Sequence, residues 1–221
     1  MKLTFQSKTI AIYDSVLAAD EYDRLWLHFQ NEQYQVPNRG GNWIKVWRLN
    51  DGASVSSKEY LYSKRPFGNP LDRLLEAVAQ LAREQTALVG TKDKDWRDIS
   101  VRSYLYARGC KLSWHDDTGG YSGAFNYYAH PQWGATWGGE LLIAETGEFE
   151  HIKENAQVGP YLDSSWENRY LLGVGRGLFI IPKPNRLVYT AAGVHHAVNR
   201  VDDDAGDHAR CSVSGFFLTD T

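Results

Sequence analysis

The feature of this 221-residue chain that most restricts its fold is a change of period near residue 98. Before it, residues 70–85 place Leu71, Leu74, Leu75, Val78, Leu81 and Ala82 on one face at the 3.6-residue spacing of a helix. Asn69 is placed to cap that helix. Pro70 sits at its first position, where a missing N–H is tolerated. After residue 98 the apolar residues come in short runs punctuated by Gly, Pro, Asn or Asp, the pattern of strands. Eight runs stand out: 99–107, 111–115, 124–130, 139–145, 177–183, 186–191, 196–201 and 210–218. Eight short strands after a helical region predict a mainly β fold with flanking helices, as a double-stranded β-helix (jelly roll, cupin-like).

The rest of the chain fits around that core. Leu3 to Tyr13 alternates loosely and reads as a strand. Residues 19–31 read as a helix, with Asp20 and Glu21 at its positive end and Tyr22, Leu25, Trp26 and Phe29 as an apolar stripe. Trp43, Ile44 and Val46 suggest a short strand among the glycines of 38–65. We expect a single domain over 1–221. Residues 1–98 would support a core of 99–221, which carries an insert at 146–176. That insert is long for a loop, holds Tyr161, Trp166 and Tyr170, and has the character of a lid or binding loop.

Composition narrows the function. A net charge of −3 argues against a general basic surface for nucleic acid. No stretch approaches the roughly 20 apolar residues of a membrane span. The start, MKLTFQSKTIAIYD, lacks the continuous apolar run of a secretory signal, so a soluble cytoplasmic protein is expected. Cys110 and Cys211 are too few for a disulfide scaffold and are expected as buried free thiols. With 8 Trp, 13 Tyr and one Met, core and pocket must be built from stiff rings with polar edges.

Histidine is scarce, at seven residues. One lies in Trp114-His115-Asp116-Asp117. At a strand end, positions i and i+2 project to the same side, so His115 and Asp117 can aim at one point while Asp116 faces away. His195 and His196 open a late strand, and one of them can add a second imidazole. Two His and a carboxylate on one face of a metal leave three octahedral positions open, the arrangement of non-haem Fe(II) oxygenases. Zinc prefers four ligands with one open position, and residue types alone do not choose between the metals.

The wider motifs add a family resemblance. Tyr106-Ala-Arg-Gly-Cys-Lys-Leu-Ser-Trp-His-Asp-Asp is followed by Asn126-Tyr127-Tyr128, Trp133 and Trp137-Gly138-Gly139-Glu140-Leu141. Then come Gly177-Leu178-Phe179-Ile180-Ile181-Pro182, His196-Ala-Val and Arg210-Cys-Ser-Val-Ser-Gly-Phe-Phe. In this order, residues 104–218 resemble the prolyl-4-hydroxylase-like branch of the Fe(II)/2-oxoglutarate-dependent oxygenases. The family's Tyr-x-x-Gly-x-x-Leu-x-x-His-x-Asp run matches Tyr106, Gly109, Leu112, His115 and Asp117. Its distal His-x-Val-x-x-Val strand matches His196, Val198 and Val201. The resemblance therefore implies His115, Asp117 and His196 as Fe(II) ligands, with His196 preferred over His195. It implies Arg210 as the anchor of 2-oxoglutarate, with Arg200 as fallback, and Tyr128 and Tyr106 as its neighbours. The acidic turn from Asp202 lengthens the usual His-to-Arg gap.

That resemblance implies an enzyme, a dioxygenase using Fe(II), 2-oxoglutarate and O₂, with ascorbate as an accessory reductant. Related halogenases replace the carboxylate at position 117 with a small residue, so Asp117 implies hydroxylation of an unactivated C–H bond. A small molecule such as an amino acid or natural-product intermediate is the expected substrate, with Trp114, Asp116, Arg102, Tyr104 and Trp137 as pocket candidates. A peptidyl or protein prolyl hydroxylase is the nearby alternative. A non-enzymatic sugar-binding jelly roll, with calcium on Asp202–Asp204, is the rival from another class.

Overall fold

The structure, a computed structural model, describes residues 1–37, 52–63, 66–117, 119–145 and 171–219. The expected strand at Trp43, Ile44 and Val46 lies outside these residues, as do residues 146–170 of the 146–176 insert, with its three aromatic residues.

The eight expected core strands are all present: β5 (Asp98–Tyr106), β6 (Leu112–His115), β7 (Tyr121–Tyr128), β8 (Leu141–Ala144), β9 (Gly177–Ile180), β10 (Arg186–Ala191), β11 (His196–Val198) and β12 (Arg210–Leu218). Four of them form a small sheet in the order β6-β11-β8-β9. The other four run β10-β7-β12-β5 inside a larger sheet. The chain thus winds between two facing antiparallel sheets, which makes a double-stranded β-helix.

The larger sheet is extended on both sides. Next to β10 lies a hairpin of β1 (Lys2–Gln6) and β2 (Ile10–Asp14). The expected single strand from Leu3 to Tyr13 is thus broken, because the Ser7 hydroxyl accepts the N–H groups of Thr9 and Ile10 and closes a turn. Next to β5 lie β3 (Val55–Ser56) and β4 (Tyr60–Tyr62), which the sequence pattern does not show because they are two and three residues long.

Strand parity separates two cores. Tyr13, Val101, Phe125, Tyr127, Tyr189, Val213 and Phe217 face outward under helices α1 (Ala19–Asn31) and α2 (Leu71–Ala82). Their neighbours Ile12, Tyr128 and Val188 face inward against Leu141, Ile143 and Ile180 of the small sheet. Covered on both faces, all five residues of β2 are buried, which erases alternation from its sequence.

The helices follow the predicted pattern. In α2 the six predicted apolar side chains are the buried ones, and each stabilises the fold by roughly 1.5–3 kcal/mol for Leu or Val. The Asn69 carboxamide accepts the Leu71 N–H at 2.9 Å. The helix ends at Ala82, short of residue 85, and a separate turn, α3 (Thr86–Val89), follows. Ala18 precedes α1, and its N–H is accepted by the Glu21 carboxylate. Cys110 and Cys211 are both buried and free. Among the described residues no helix is long and apolar enough to cross a membrane.

The Trp137-Gly-Gly-Glu-Leu segment enters β8 only because its glycines lack side chains. Gly138 has φ +70°, and a Cβ there would lie 2.1 Å from the Arg200 carbonyl oxygen. We expect Gly138→Ala to destabilise the protein by more than about 2 kcal/mol, read as a lowered urea midpoint.

Candidate metal centre

Two short strands of the small sheet place the centre. β6 and β11 pair antiparallel with His115 opposite His196, so both imidazoles project to one side. Their rings are 4.2 Å apart. Asp117 lies two residues beyond His115 and turns its carboxylate onto the same point. Its oxygens are 3.2 Å from His196 Nε2 and 3.7 Å from His115 Nε2. One ligating atom from each of the three residues falls within 4.8 Å of the others.

The histidine orientations are held from behind. His115 Nδ1 meets the Ser113 carbonyl at 2.7 Å, and His196 Nδ1 meets the Val194 carbonyl at 2.8 Å. An imidazole donating its Nδ1–H leaves the Nε2 lone pair for a cation. Both Nε2 atoms face Asp117. Two neutral nitrogens and one carboxylate oxygen, converging in a half-buried site, fit a divalent cation.

The electrostatics match that donor set. Burial, with the neighbouring His196, pulls His115 down to about 4, so it stays neutral. The Asp117 carboxyl is held below its ordinary value by its hydrogen bond to His196, against the opposing effect of burial. His196 is raised by that same carboxylate despite burial.

Arg210 is the second unusual group. It opens β12, is 1% exposed, and points to the inner face. Nε donates to the Gly139 carbonyl at 2.7 Å, and Nη1 donates to the Ser212 hydroxyl at 3.2 Å. Nη2 is buried with no hydrogen-bond partner among the described residues. The guanidinium lies over the rings of Tyr128 at 5.0 Å and Tyr106 at 5.6 Å. The Tyr128 hydroxyl is likewise buried and makes no geometrically formed hydrogen bond among the described residues; burial pushes its phenol up, and the adjacent Arg210 guanidinium opposes that shift. A buried cation and phenol with unused donors fit a carboxylate guest. Arg200, by contrast, is exposed and donates to the Gly109 carbonyl.

Register explains the grouping. Arg210 pairs with Tyr106, and Ser212 pairs with both Tyr104 and Tyr128. These residues therefore share the face that looks toward the small sheet. Gly139 completes the cradle, since a Cβ there would press on Arg210 Cδ at 2.9 Å. Ser212 and the Gly139 carbonyl were not singled out from sequence as partners of Arg210; the Gly-Gly pair was the only signal for close approach at 139.

The pocket candidates separate. Tyr104 lies on the inner face beside Tyr106, and burial raises its phenol to about 12, with Arg102 lowering it and Asp117 and Glu59 raising it. Arg102 shares that face and pairs with Glu59. Asp116 is exposed, and Trp114, also on the opposite parity to His115, is half-buried. Trp137 stacks on His208 at 4.7 Å and meets Trp133 edge-on. Asp202 begins a 3-10 turn, Asp203–Ala205, and accepts the Asp204 N–H.

The family assignment rests on sequence. The profile of the 2OG-Fe(II) oxygenase superfamily matches residues 99–218, more than half of the chain, and the chain belongs to that superfamily. It is accordingly a dioxygenase of a family that uses Fe(II), 2-oxoglutarate and O₂. Solved structures share its fold at low identity. A prolyl-4-hydroxylase from Pseudomonas putida superposes with a TM-score of 0.63 at 16% identity, covering 95% of this chain and 92% of its own. A 2OG-Fe(II) oxygenase family oxidoreductase from Burkholderia pseudomallei gives 0.57 at 10% identity, covering 99% and 93%. A prolyl hydroxylase from Trichoplax adhaerens, solved with a hypoxia inducible factor peptide fragment, gives 0.54 at 12% identity, covering 96% and 84%. No curated protein matches the chain in sequence.

One histidine of this region is structural. His130 is buried, with Nε2 2.6 Å from the Pro182 carbonyl and Nδ1 accepting the Cys211 N–H. Those two contacts require the neutral ring, and burial lowers its pKa to about 4. An unfolded histidine near 6.5 takes up a proton before the folded one does. Stability from this group is therefore present above about pH 6.5 and lost as pH falls toward about 4, on the order of 3 kcal/mol in all. Urea midpoints at about pH 7 and pH 4.5 should show a larger drop for the wild type than for His130→Gln.

Proposed function

We propose that His115, Asp117 and His196 hold Fe(II), and that Arg210, flanked by Tyr128 and Tyr106, takes the distal carboxylate of 2-oxoglutarate, in a hydroxylase acting on a small molecule. The observation that carries this reading is the buried Arg210 guanidinium, whose Nη2 has no partner among the described residues. An unpaired buried donor costs about 1–3 kcal/mol, and more when charged, so its position calls for an anionic guest. The convergence of three donors in the same sandwich supports the metal half of the reading.

Each residue then has a defined task. The Ser113 and Val194 carbonyls fix the tautomers of the two histidines, so that both present a basic nitrogen. Asp117 balances the charge of the cation. Gly139 and Ser212 aim the guanidinium, leaving one edge of its fork for a carboxylate. Tyr128 offers a hydroxyl beside it, and the rings of Tyr106 and Tyr128 exclude water. Fe(II) bound there supplies, with O₂ and 2-oxoglutarate, the oxidising power that yields succinate and CO₂ and places one oxygen atom into a C–H bond.

A prolyl peptide is the second reading, favoured by the two prolyl hydroxylases that share the fold.

Asp117→Ala and His196→Ala should each lower iron-dependent succinate release from 2-oxoglutarate by at least about 100-fold. Unchanged turnover in both variants would remove the three-residue assignment. Arg210→Ala should raise the KM for 2-oxoglutarate by about 100-fold, the loss of charge-assisted hydrogen bonds worth about 3 kcal/mol. The KM for the hydroxylated substrate should change far less, and an unaltered requirement for 2-oxoglutarate would move the anchor elsewhere.

A further inference from the structure

The inner face of β5 continues past the residues used above. Ser100, Arg102, Tyr104 and Tyr106 alternate along it. Tyr106 pairs with Arg210, whereas Arg102 pairs with Ser214, four residues and about 13 Å further along the strand. At that end Arg102 Nη2 donates to a Glu59 oxygen at 3.3 Å, and the Ser100 hydroxyl donates to the other oxygen. Tyr60 pairs with Val101, so Glu59 stands opposite Arg102 on the same face. Tyr104 lies between Arg102 and Tyr106 on this face of the strand, and its phenol feels both Asp117 and the Arg102–Glu59 pair. Phe216, cross-strand from Ser100, stacks on Tyr121 at 4.5 Å.

A role in stability alone explains this pair poorly. It is a single long contact between side chains 32% and 53% exposed, a class of ion pair that contributes little to folding. Arg102 has five N–H donors, and Glu59 is its sole partner among the described residues. Its free edge suits the two oxygens of a carboxylate. Glu59 is kept ionised by the Ser100 hydroxyl and, despite some burial, by Arg102, so it suits an ammonium group.

Resting on the reading of the preceding subsection, we propose that Arg102 and Glu59 recognise the α-carboxylate and α-ammonium groups of a free amino acid, the class of molecule this dioxygenase hydroxylates. An α-amino acid carries its two charges about 2.5 Å apart, which matches an adjacent cation and anion. Its side chain then extends past Tyr104 toward the metal centre, while Phe216 and Tyr121 close the opposite side of Arg102. A residue inside a peptide carries neither charge, so it gains nothing from Arg102 and Glu59 beyond the contact they already make with each other, which favours the free amino acid.

The test uses the protein loaded anaerobically with Fe(II) and 2-oxoglutarate. Calorimetric titrations would use the proteinogenic L-amino acids, L-ornithine, L-pipecolate and N-acetyl-L-proline methylamide. The N-acetyl and methyl-ester forms of any amino acid that binds would follow. We expect at least one free amino acid to bind and to accelerate succinate release when O₂ is admitted. Blocking either end should weaken binding at least about tenfold. Arg102→Gln should weaken the free amino acid by about as much, with 2-oxoglutarate binding unchanged. Glu59→Gln should weaken the free amino acid but not its N-acetyl form. The proposal is overturned if 2-oxoglutarate binds and no free amino acid does, or if the blocked proline binds as tightly as any free amino acid. Failure of 2-oxoglutarate itself to bind is a separate result, which removes the metal-centre reading and this one with it.

Discussion

The pairing of His196 with His115 across β6 and β11 is the constraint on which the site depends. In an antiparallel pair, directly opposed residues share a face, and a slip of one residue turns one imidazole to the far side. The register is held by apolar burial. Val198 pairs with Leu112 beyond a one-residue shift in that ladder, and the next strand, in unbroken register, brings Ile143 opposite His196 and Leu141 opposite Val198. The inward packing of Leu141 and Ile143 against Ile12, Tyr128 and Val188 therefore also sets the direction of the histidine Nε2 atoms. The small sheet has four strands of three or four residues each, and its position depends on the larger sheet behind it.

The larger sheet carries the second requirement, a buried cation. A guanidinium 1% exposed is tolerated only when its donors are satisfied or its charge is met. Gly139 and Ser212 satisfy part of Arg210, and the rings of Tyr106 and Tyr128 cover its faces. The remaining donor is the kind of local conflict that folded proteins retain where a ligand binds. The helices contribute at a distance. Under α1 and α2 the outer face of the sheet is buried in an apolar cluster, which backs the inner face that holds such a group.

Much of this was legible in the sequence. The eight core strands were visible because Gly, Pro, Asn and Asp mark their ends, and α2 because its apolar residues keep a 3.6-residue period. His196 was separable from His195 by strand parity, given the family resemblance. Other parts carry no local signal. β3 and β4 are too short for a period to develop, and β2 is covered on both faces, so its alternation vanishes. The hold of Gly139 on Arg210 links residues 71 apart, and the contact of Arg102 with Glu59 links residues 43 apart. Aromatic residues were ambiguous for another reason. Trp137 and Tyr104 are both large rings near a glycine or a strand end. Only three-dimensional packing shows that one stacks on His208 and the other lies beside Tyr106 on the inner face.

The most direct test of the central claim is anomalous diffraction at the iron edge from crystals grown anaerobically with Fe(II) and 2-oxoglutarate. The account predicts one iron bound by His115 Nε2, His196 Nε2 and an Asp117 oxygen, with the distal carboxylate of the oxo acid on Arg210 Nη2 and the Tyr128 hydroxyl. Iron bound away from these three residues, or the oxo acid seated on Arg200 instead, would contradict it.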